Sequence, residues 1–274
     1  MRAQRAEGLL VRRRWCAATV VVVLHVGPSV LAQQSDARAV QPERPTVATH
    51  AGTVAAGYLE IETGVERDRF DPAAIGYGIP TVFKIGVGSR AQLSVGVPLS
   101  RPSPGNLGLG DMSVGVKWRF VSDAPIVGDF ALLPSVKFPS GSQASGTGTG
   151  TTDVSLLAIS SHKFGDVAID INAGYTRRSG DGTSIPRDAT QWTFSSGGPL
   201  AGAFGWVVEC YGYPGTGGPA GQAPIAALLA GPTYLARAWL AFDAGLIVPL
   251  RGPQPRAFYA GAVYNVGRIW ASHP

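Results

Sequence analysis

The chain has 274 residues, enough for one large β-domain or two ordinary domains. It is 45% hydrophobic but only 15% charged, against roughly 25% charged in a soluble domain; a water-exposed surface would be hard to cover, and a lipid-facing one removes that demand. The formal charge of +5 comes mostly from the first residues: without Arg2, Arg5, Arg12, Arg13, Arg14 and Glu7, 18 basic and 17 acidic residues remain, and no nucleic-acid partner is implied.

Residues 1–32 read as a cleavable signal peptide. Arg12-Arg13-Arg14 precede an apolar stretch from Trp15 to Val26, and Val30-Leu31-Ala32 fits the small-residue cleavage rule. The stretch is shorter than the ~20 apolar residues a spanning helix needs. Cys16 leaves with this segment, so Cys210 alone remains and no internal disulfide or thiolate metal cluster can form. Residues 33–56 are polar and without period, which predicts a flexible periplasmic lead-in, too short for a folded plug domain.

From residue 57 to 274 the texture is uniform and period-two, as in Leu59, Ile61, Thr63 and Val65 or Val114, Val116, Trp118 and Phe120. Strands are predicted at 57–67, 76–88, 90–100, 108–121, 126–139, 152–164, 166–177, 189–198, 202–213, 223–235, 237–249 and 257–269. The segment 223–235 is the weakest, being apolar on both faces and interrupted by Pro232, with Pro224 at its start. A β-sandwich would alternate in the same way, but its strands usually run 5 to 6 residues, whereas a tilted bilayer crossing takes about 9–11. The connections alternate short and long, the asymmetry of an up-and-down barrel with periplasmic turns and outer loops. Trp118, Phe120, Phe164, Tyr234 and Trp239 fall near the short turns, and Phe138, Tyr175, Tyr211, Tyr213 and Phe258 near the long loops, as two interfacial girdles. The fold class is therefore all-β, a transmembrane antiparallel barrel of about 12 strands, with ten or fourteen as alternatives.

Catalytic signals are sparse. His50, His162 and His273 lack metal-ligand spacing, and His162 beside Ser160 and Ser161 reads as an ordinary strand residue. The run at 140–150 lacks the Lys-Ser/Thr ending of a phosphate loop. No enzyme activity, metal or cofactor is expected. The informative charges share the small or polar parity of their strands: Glu60, Glu62, Glu66, Lys84, Asp111, Lys117, Arg119, Lys137, Asp153, Lys163, Asp170, Glu209 and Asp243. Facing lipid, a Lys or Arg at mid-depth would cost ~2–4 kcal/mol, so these side chains are predicted to face the lumen. They either close it with ion pairs or line a polar path for solute.

The motifs Gly-Tyr-Leu-Glu-Ile-Glu-Thr-Gly (57–64), Gln-Leu-Ser-Val-Gly-Val-Pro-Leu (92–99) and Gly-Leu-Gly-Asp-Met-Ser-Val-Gly-Val-Lys-Trp-Arg-Phe (108–120) carry a family resemblance. So do Leu-Leu-Pro-Ser-Val-Lys-Phe-Pro-Ser-Gly (132–141), Gly-Thr-Thr-Asp-Val-Ser-Leu (150–156) and Asn-Ala-Gly-Tyr-Thr (172–176). Together they resemble the outer-membrane family named for the meta-pathway of phenol degradation. The resemblance implies a small outer-membrane barrel that passes hydrophobic or aromatic compounds. The chain departs from the family at its end, where Tyr264-Asn265-Val266 is followed by residues through Trp270 to Pro274 in place of a closing aromatic. The expected function is passive passage of small hydrophobic or aromatic solutes across the outer membrane, with membrane lipid and solute as partners. The alternatives are a non-transporting structural or adhesive barrel with partner-binding loops and, least favoured, a lipid hydrolase.

Overall fold

A computed structural model describes residues 36–70, 74–180, 186–214 and 223–270; the expected signal peptide at 1–32 lies outside the described residues. These residues form twelve antiparallel strands and no helix. They are β1 (Tyr58–Arg69), β2 (Ile75–Ile79 and Thr81–Val87), β3 (Ala91–Gly96 and Leu99–Arg101) and β4 (Gly108–Leu109 and Ser113–Ala124). There follow β5 (Gly128–Lys137), β6 (Asp153–Phe164), β7 (Val167–Arg178) and β8 (Asp188–Ala201), then β9 (Phe204–Tyr213), β10 (Ile225–Arg237), β11 (Leu240–Arg251) and β12 (Arg256–Arg268). Breaks in β2 and β3 fall at Pro80 and Pro98, which have no N–H for the ladder.

Each strand pairs with its sequence neighbours, and β12 pairs with β1 along its whole length, so the sheet has no free edge. In hydrocarbon this is obligatory, because every backbone polar group needs a partner. Uninterrupted strands run 10 to 14 residues, long enough to cross a bilayer at a tilt. Turns 88–90, 125–127, 165–166, 202–203 and 238–239 are two or three residues long, while the connections at the other end run from four to fifteen. Strands spaced 4.7–4.9 Å at ~40° tilt give a backbone radius of about 12 Å for twelve strands. That is wider than the eight-strand barrels that wall side chains fill by themselves.

The outer face is apolar: Val116, Leu156, Ile171, Phe194, Leu246 and Val248 are all exposed. Trp118, Phe164, Phe204 and Tyr234 ring the short-turn end, and Phe138, Tyr175 and Phe258 ring the other. Two expected girdle members do not belong to it. Tyr211 is 5% exposed and, with Tyr213, packs inside the barrel. Both share the parity of the buried Glu209, so alternation along β9 turns all three inward. The weakly predicted tenth strand is real. Ala227 and Leu229 are buried inward while Leu228 is exposed outward, so each apolar face meets a different apolar partner.

On that inner wall the Tyr259 ring crosses two strands. Its hydroxyl lies where a side chain on Gly231 or Gly245 would begin. The two glycines are what allow a tyrosine to lie flat against the sheet.

Candidate functional site

Residues 36–56 differ from the lead-in that the sequence suggests: they run inside the barrel. The segment enters at the short-turn end, where the Val40 N–H donates to the Ala238 carbonyl (2.8 Å). There Arg38 donates to the carbonyls of Asn265 and Val266 (both 3.1 Å) and lies over the Trp239 ring. It returns to the wall at Gly86, where a Cβ would collide with the carbonyls of Val54 and Ala55. Gly57, at φ +80°, then turns the chain into β1.

Between these ends the wall holds the segment by its backbone. Glu60 accepts the Gln41 N–H and Glu62 the Glu43 N–H, each at 2.8 Å. Glu209 accepts both Val47 (2.8 Å) and Ala48 (2.6 Å). Asn172 accepts the Thr49 N–H at 2.8 Å and donates to the Thr49 carbonyl at 2.9 Å. Ser161 accepts Ala51 at 2.8 Å and Gln92 accepts Val54 at 3.0 Å. Inward side chains thus do for this segment what a neighbouring strand does in a ladder. No ladder means no period, which is why the segment reads as featureless.

Around it lies an ion-paired cluster. Lys84, fully buried, bridges Glu60 (2.7 Å) and Glu62. Lys117, also fully buried, pairs with Glu43 of the segment and donates to the His50 carbonyl at 2.9 Å. Arg44 reaches Asp243 at 3.3 Å, its guanidinium seated over Gly64 and Gly261. His50 and Glu43 belong to the segment and not to a strand. Burial and the adjacent Lys117 ammonium push the His50 imidazole down to about 3, so it is neutral. Burial by itself would raise the Glu43 carboxyl, but Lys117 and Lys84 outweigh it and hold the carboxyl well below its usual range.

The other inward charges divide by height. Near the long loops Lys137 pairs with Asp111 (2.7 Å) and Asp153 (3.3 Å), and Arg178 lies 3.8 Å from Asp153. Near the short turns Arg119 pairs with Asp129 at 3.3 Å, and Asp170 accepts from Ser161 at 2.6 Å. Lys163 is exposed at that rim, and Glu66 is half-buried beside Tyr259 of β12.

The wall from β9 to β12 is different. Tyr211, Ala227, Leu229, Ile247, Ala257 and Tyr259 form a buried apolar cluster against which Val47 of the segment packs. One side of the lumen is therefore aromatic and aliphatic, and the other ionic. A cavity of about 830 Å³ lies between the segment and the short-turn rim, lined by His50, Arg119, Asp170 and Lys163 among others. On the far side a smaller space of about 170 Å³ is bounded by Lys137, Arg178 and Tyr213.

The Ser160 hydroxyl donates to the Val127 carbonyl (2.8 Å) and lies 3.0 Å from His162 Nε2. Among the described residues no three His, Cys, Asp or Glu side chains are grouped to hold a metal. Sequence reasoning missed the segment itself. Its signals were the run Val47–Ala56, small but for His50, and the inward glycines Gly64, Gly86 and Gly261 that make room for it.

A closed twelve-strand barrel with an apolar exterior and a charged interior defines a transmembrane β-barrel of the outer-membrane type. The chain belongs to the family described as the MetA-pathway of phenol degradation, whose model matches residues 43–262. Its fold is similar to that of the COG4313 outer membrane channel from Pseudomonas putida F1, at 12% identity over 82% of this chain and 99% of that one, with a TM-score of 0.61. The KdgM porin matches 78% of this chain and 99% of its own at 11% identity, with a TM-score of 0.49. No curated protein matches the chain in sequence.

Proposed function

We propose that this protein is a passive outer-membrane channel for small hydrophobic or aromatic solutes, held shut at rest by residues 36–56. The observation that carries this reading is the two-sided lumen. An apolar wall built on Tyr211, Leu229, Ile247 and Tyr259 faces an ionic wall built on Lys84, Lys117 and Glu62, with only a non-covalently held segment between them. An apolar solute gains by leaving water for the first wall, while the second keeps the path hydrated. The family membership and the fold shared with an outer membrane channel support the same reading.

The test is reconstitution of the mature chain and of a variant lacking residues 36–56 in planar bilayers and liposomes. The deletion is expected to conduct continuously and to admit phenol, and the wild type to open rarely. A folded deletion variant with neither conductance nor phenol flux overturns the proposal. The density of ion pairs at both ends of the lumen favours one other reading, a permanently closed structural barrel whose loops bind a partner. That reading predicts silence from both proteins and a binding phenotype lost on loop deletion.

A further inference from the structure

The lumen accounts for the acidic residues of β1 and its neighbours but not for the arginines. Glu60, Glu62, Glu66 and Asp68 occupy the inward positions of β1, whereas Arg67 and Arg69 occupy the outward ones. Arg69 lies directly opposite Arg256 of β12. On the next rung Phe258, Arg67, Tyr77 and Arg101 stand side by side across β12, β1, β2 and β3. The Arg101 guanidinium lies 4.5 Å from the Tyr77 ring centroid.

Among the described residues, the outward positions of these four strands carry no Asp or Glu, nor do loops 102–107 and 252–255. Like charges placed directly opposite on a sheet repel, so the Arg69–Arg256 pair calls for an external anion. Its surroundings say which kind. The cluster is at the long-loop end and on the lipid side of the wall, away from any solute path. Within the cluster and just below it the same face presents Phe258 (51% exposed) and Val65 (48% exposed). An anion held here must therefore continue into an apolar body.

We infer that Arg67, Arg69, Arg101 and Arg256 form a binding site for the phosphorylated saccharide headgroup of an outer-leaflet glycolipid, its acyl chains lying along Phe258 and Val65. Guanidinium forks match phosphate oxygens bidentately, which a point-charge ammonium does not. Three inter-strand steps span roughly 14 Å, room for two phosphates on one headgroup. Tyr77, held between Arg67 and Arg101, offers its ring edge to the sugar. The inference rests on the outer-membrane placement proposed above and is independent of conduction.

The full mature chain, purified in detergent, is titrated with lipopolysaccharide and with the same lipid stripped of its phosphates. Bound lipid is read by native mass spectrometry. The intact lipid is expected to bind ~10-fold or more tightly than the stripped one, the scale of several lost charge-assisted contacts, and its binding should weaken with added salt. The R67Q/R69Q/R101Q/R256Q variant, shown to be folded by heat-modifiable migration, is expected to lose the difference. Equal binding of both lipids by the wild type overturns the inference, as does a folded quadruple variant that still discriminates. So does displacement by inorganic phosphate at concentrations comparable to the lipid's, which marks an ion site only. Failure of the wild type to fractionate with outer membranes would instead sink the placement.

Discussion

Glu209 is a strand side chain on which the closed state should depend strongly. It is fully buried on β9, and its two carboxyl oxygens accept the backbone N–H groups of Val47 and Ala48 at 2.8 and 2.6 Å. Those residues lie near the middle of the segment, where Val47 also meets the apolar wall. Glu209→Ala removes both acceptors at once. A buried donor left without a partner costs ~1–3 kcal/mol, and two set a range of ~2–6. Water entering the vacated space holds the loss to the lower part of that range, about 2–4 kcal/mol. At 1.4 kcal/mol per decade, the equilibrium between seated and released segment shifts by about 30- to 700-fold toward release. Glu209→Gln keeps one carbonyl acceptor and should show a much smaller shift. The assay is single-channel recording, with open probability compared across wild type, Glu209→Gln and Glu209→Ala. Limited proteolysis between residues 43 and 50 gives a second readout. If folded Glu209→Ala opens no more often than wild type and its segment stays equally protected, the segment is not held as described.

Three other expectations follow from the same geometry. Lys117→Met leaves the Glu43 carboxylate without its main partner, a loss of ~3–5 kcal/mol for a broken buried pair; adding Glu43→Gln should restore most of the closure, which a double-mutant cycle on open probability measures. His50 titrates near 6.5 when released but about 3 when seated, so the holding it contributes is complete above 6.5 and is lost as pH falls from there toward 3. Release is expected to rise by up to ~10-fold per unit over that window, with Glu43 adding in the same direction below its ordinary range. Recordings from pH 7 to about pH 4 should show this, flattened at the upper end by His50→Gln; a channel that closes on acidification contradicts it. Gly245→Val drives a side chain into both the Tyr259 ring and the Ala230 backbone carbonyl, an overpacking cost of ~1–3 kcal/mol or more, and should lower the temperature of the heat-modifiable shift, with Tyr259→Ala in the same chain restoring only part of it.

The barrel was legible because a membrane enforces a strict rule on every strand. Odd residues of β1 meet lipid and even residues the lumen, so Leu59, Ile61 and Val65 alternate with Glu60, Glu62 and Glu66 without exception. Turn length repeats the message, since the strands predicted from breaks in the pattern differ from the observed ones by only a few residues. The same rule exposes its own blind spot on β9 to β11. Tyr211, Leu229 and Ile247 are apolar residues on inward positions, and nothing in a hydropathy pattern separates a tyrosine in an interfacial girdle from one lining a lumen. Only counting parity from Glu209 does so.

The segment 36–56 was illegible for a deeper reason, and that reason bears on how the protein can work. A strand is recognised by its neighbours through its backbone, and its side-chain alternation follows. This segment is also recognised through its backbone, but by Glu60, Glu62, Asn172, Ser161, Gln92 and Glu209 scattered over five strands. Its own side chains follow no period: Val40, Ala48, Ala51 and Val54 are buried against the wall, and Arg38, Glu43, Arg44 and Val47 reach partners on different strands. Ordering a residue costs ~1–2 kcal/mol of backbone entropy, and here each ordered stretch is repaid by only one or two side-chain contacts. A strand in the wall has a full ladder on both sides, whereas this segment is held by dispersed side-chain anchors and is the element the proposed channel would have to release. Tethered directly to β1 through Gly57, it remains at high effective concentration after release and can reseat without assistance. Under the proposed function the wall stays closed while the filling leaves and returns, which makes the segment a gate; a segment that stays seated in every recording makes it a plug.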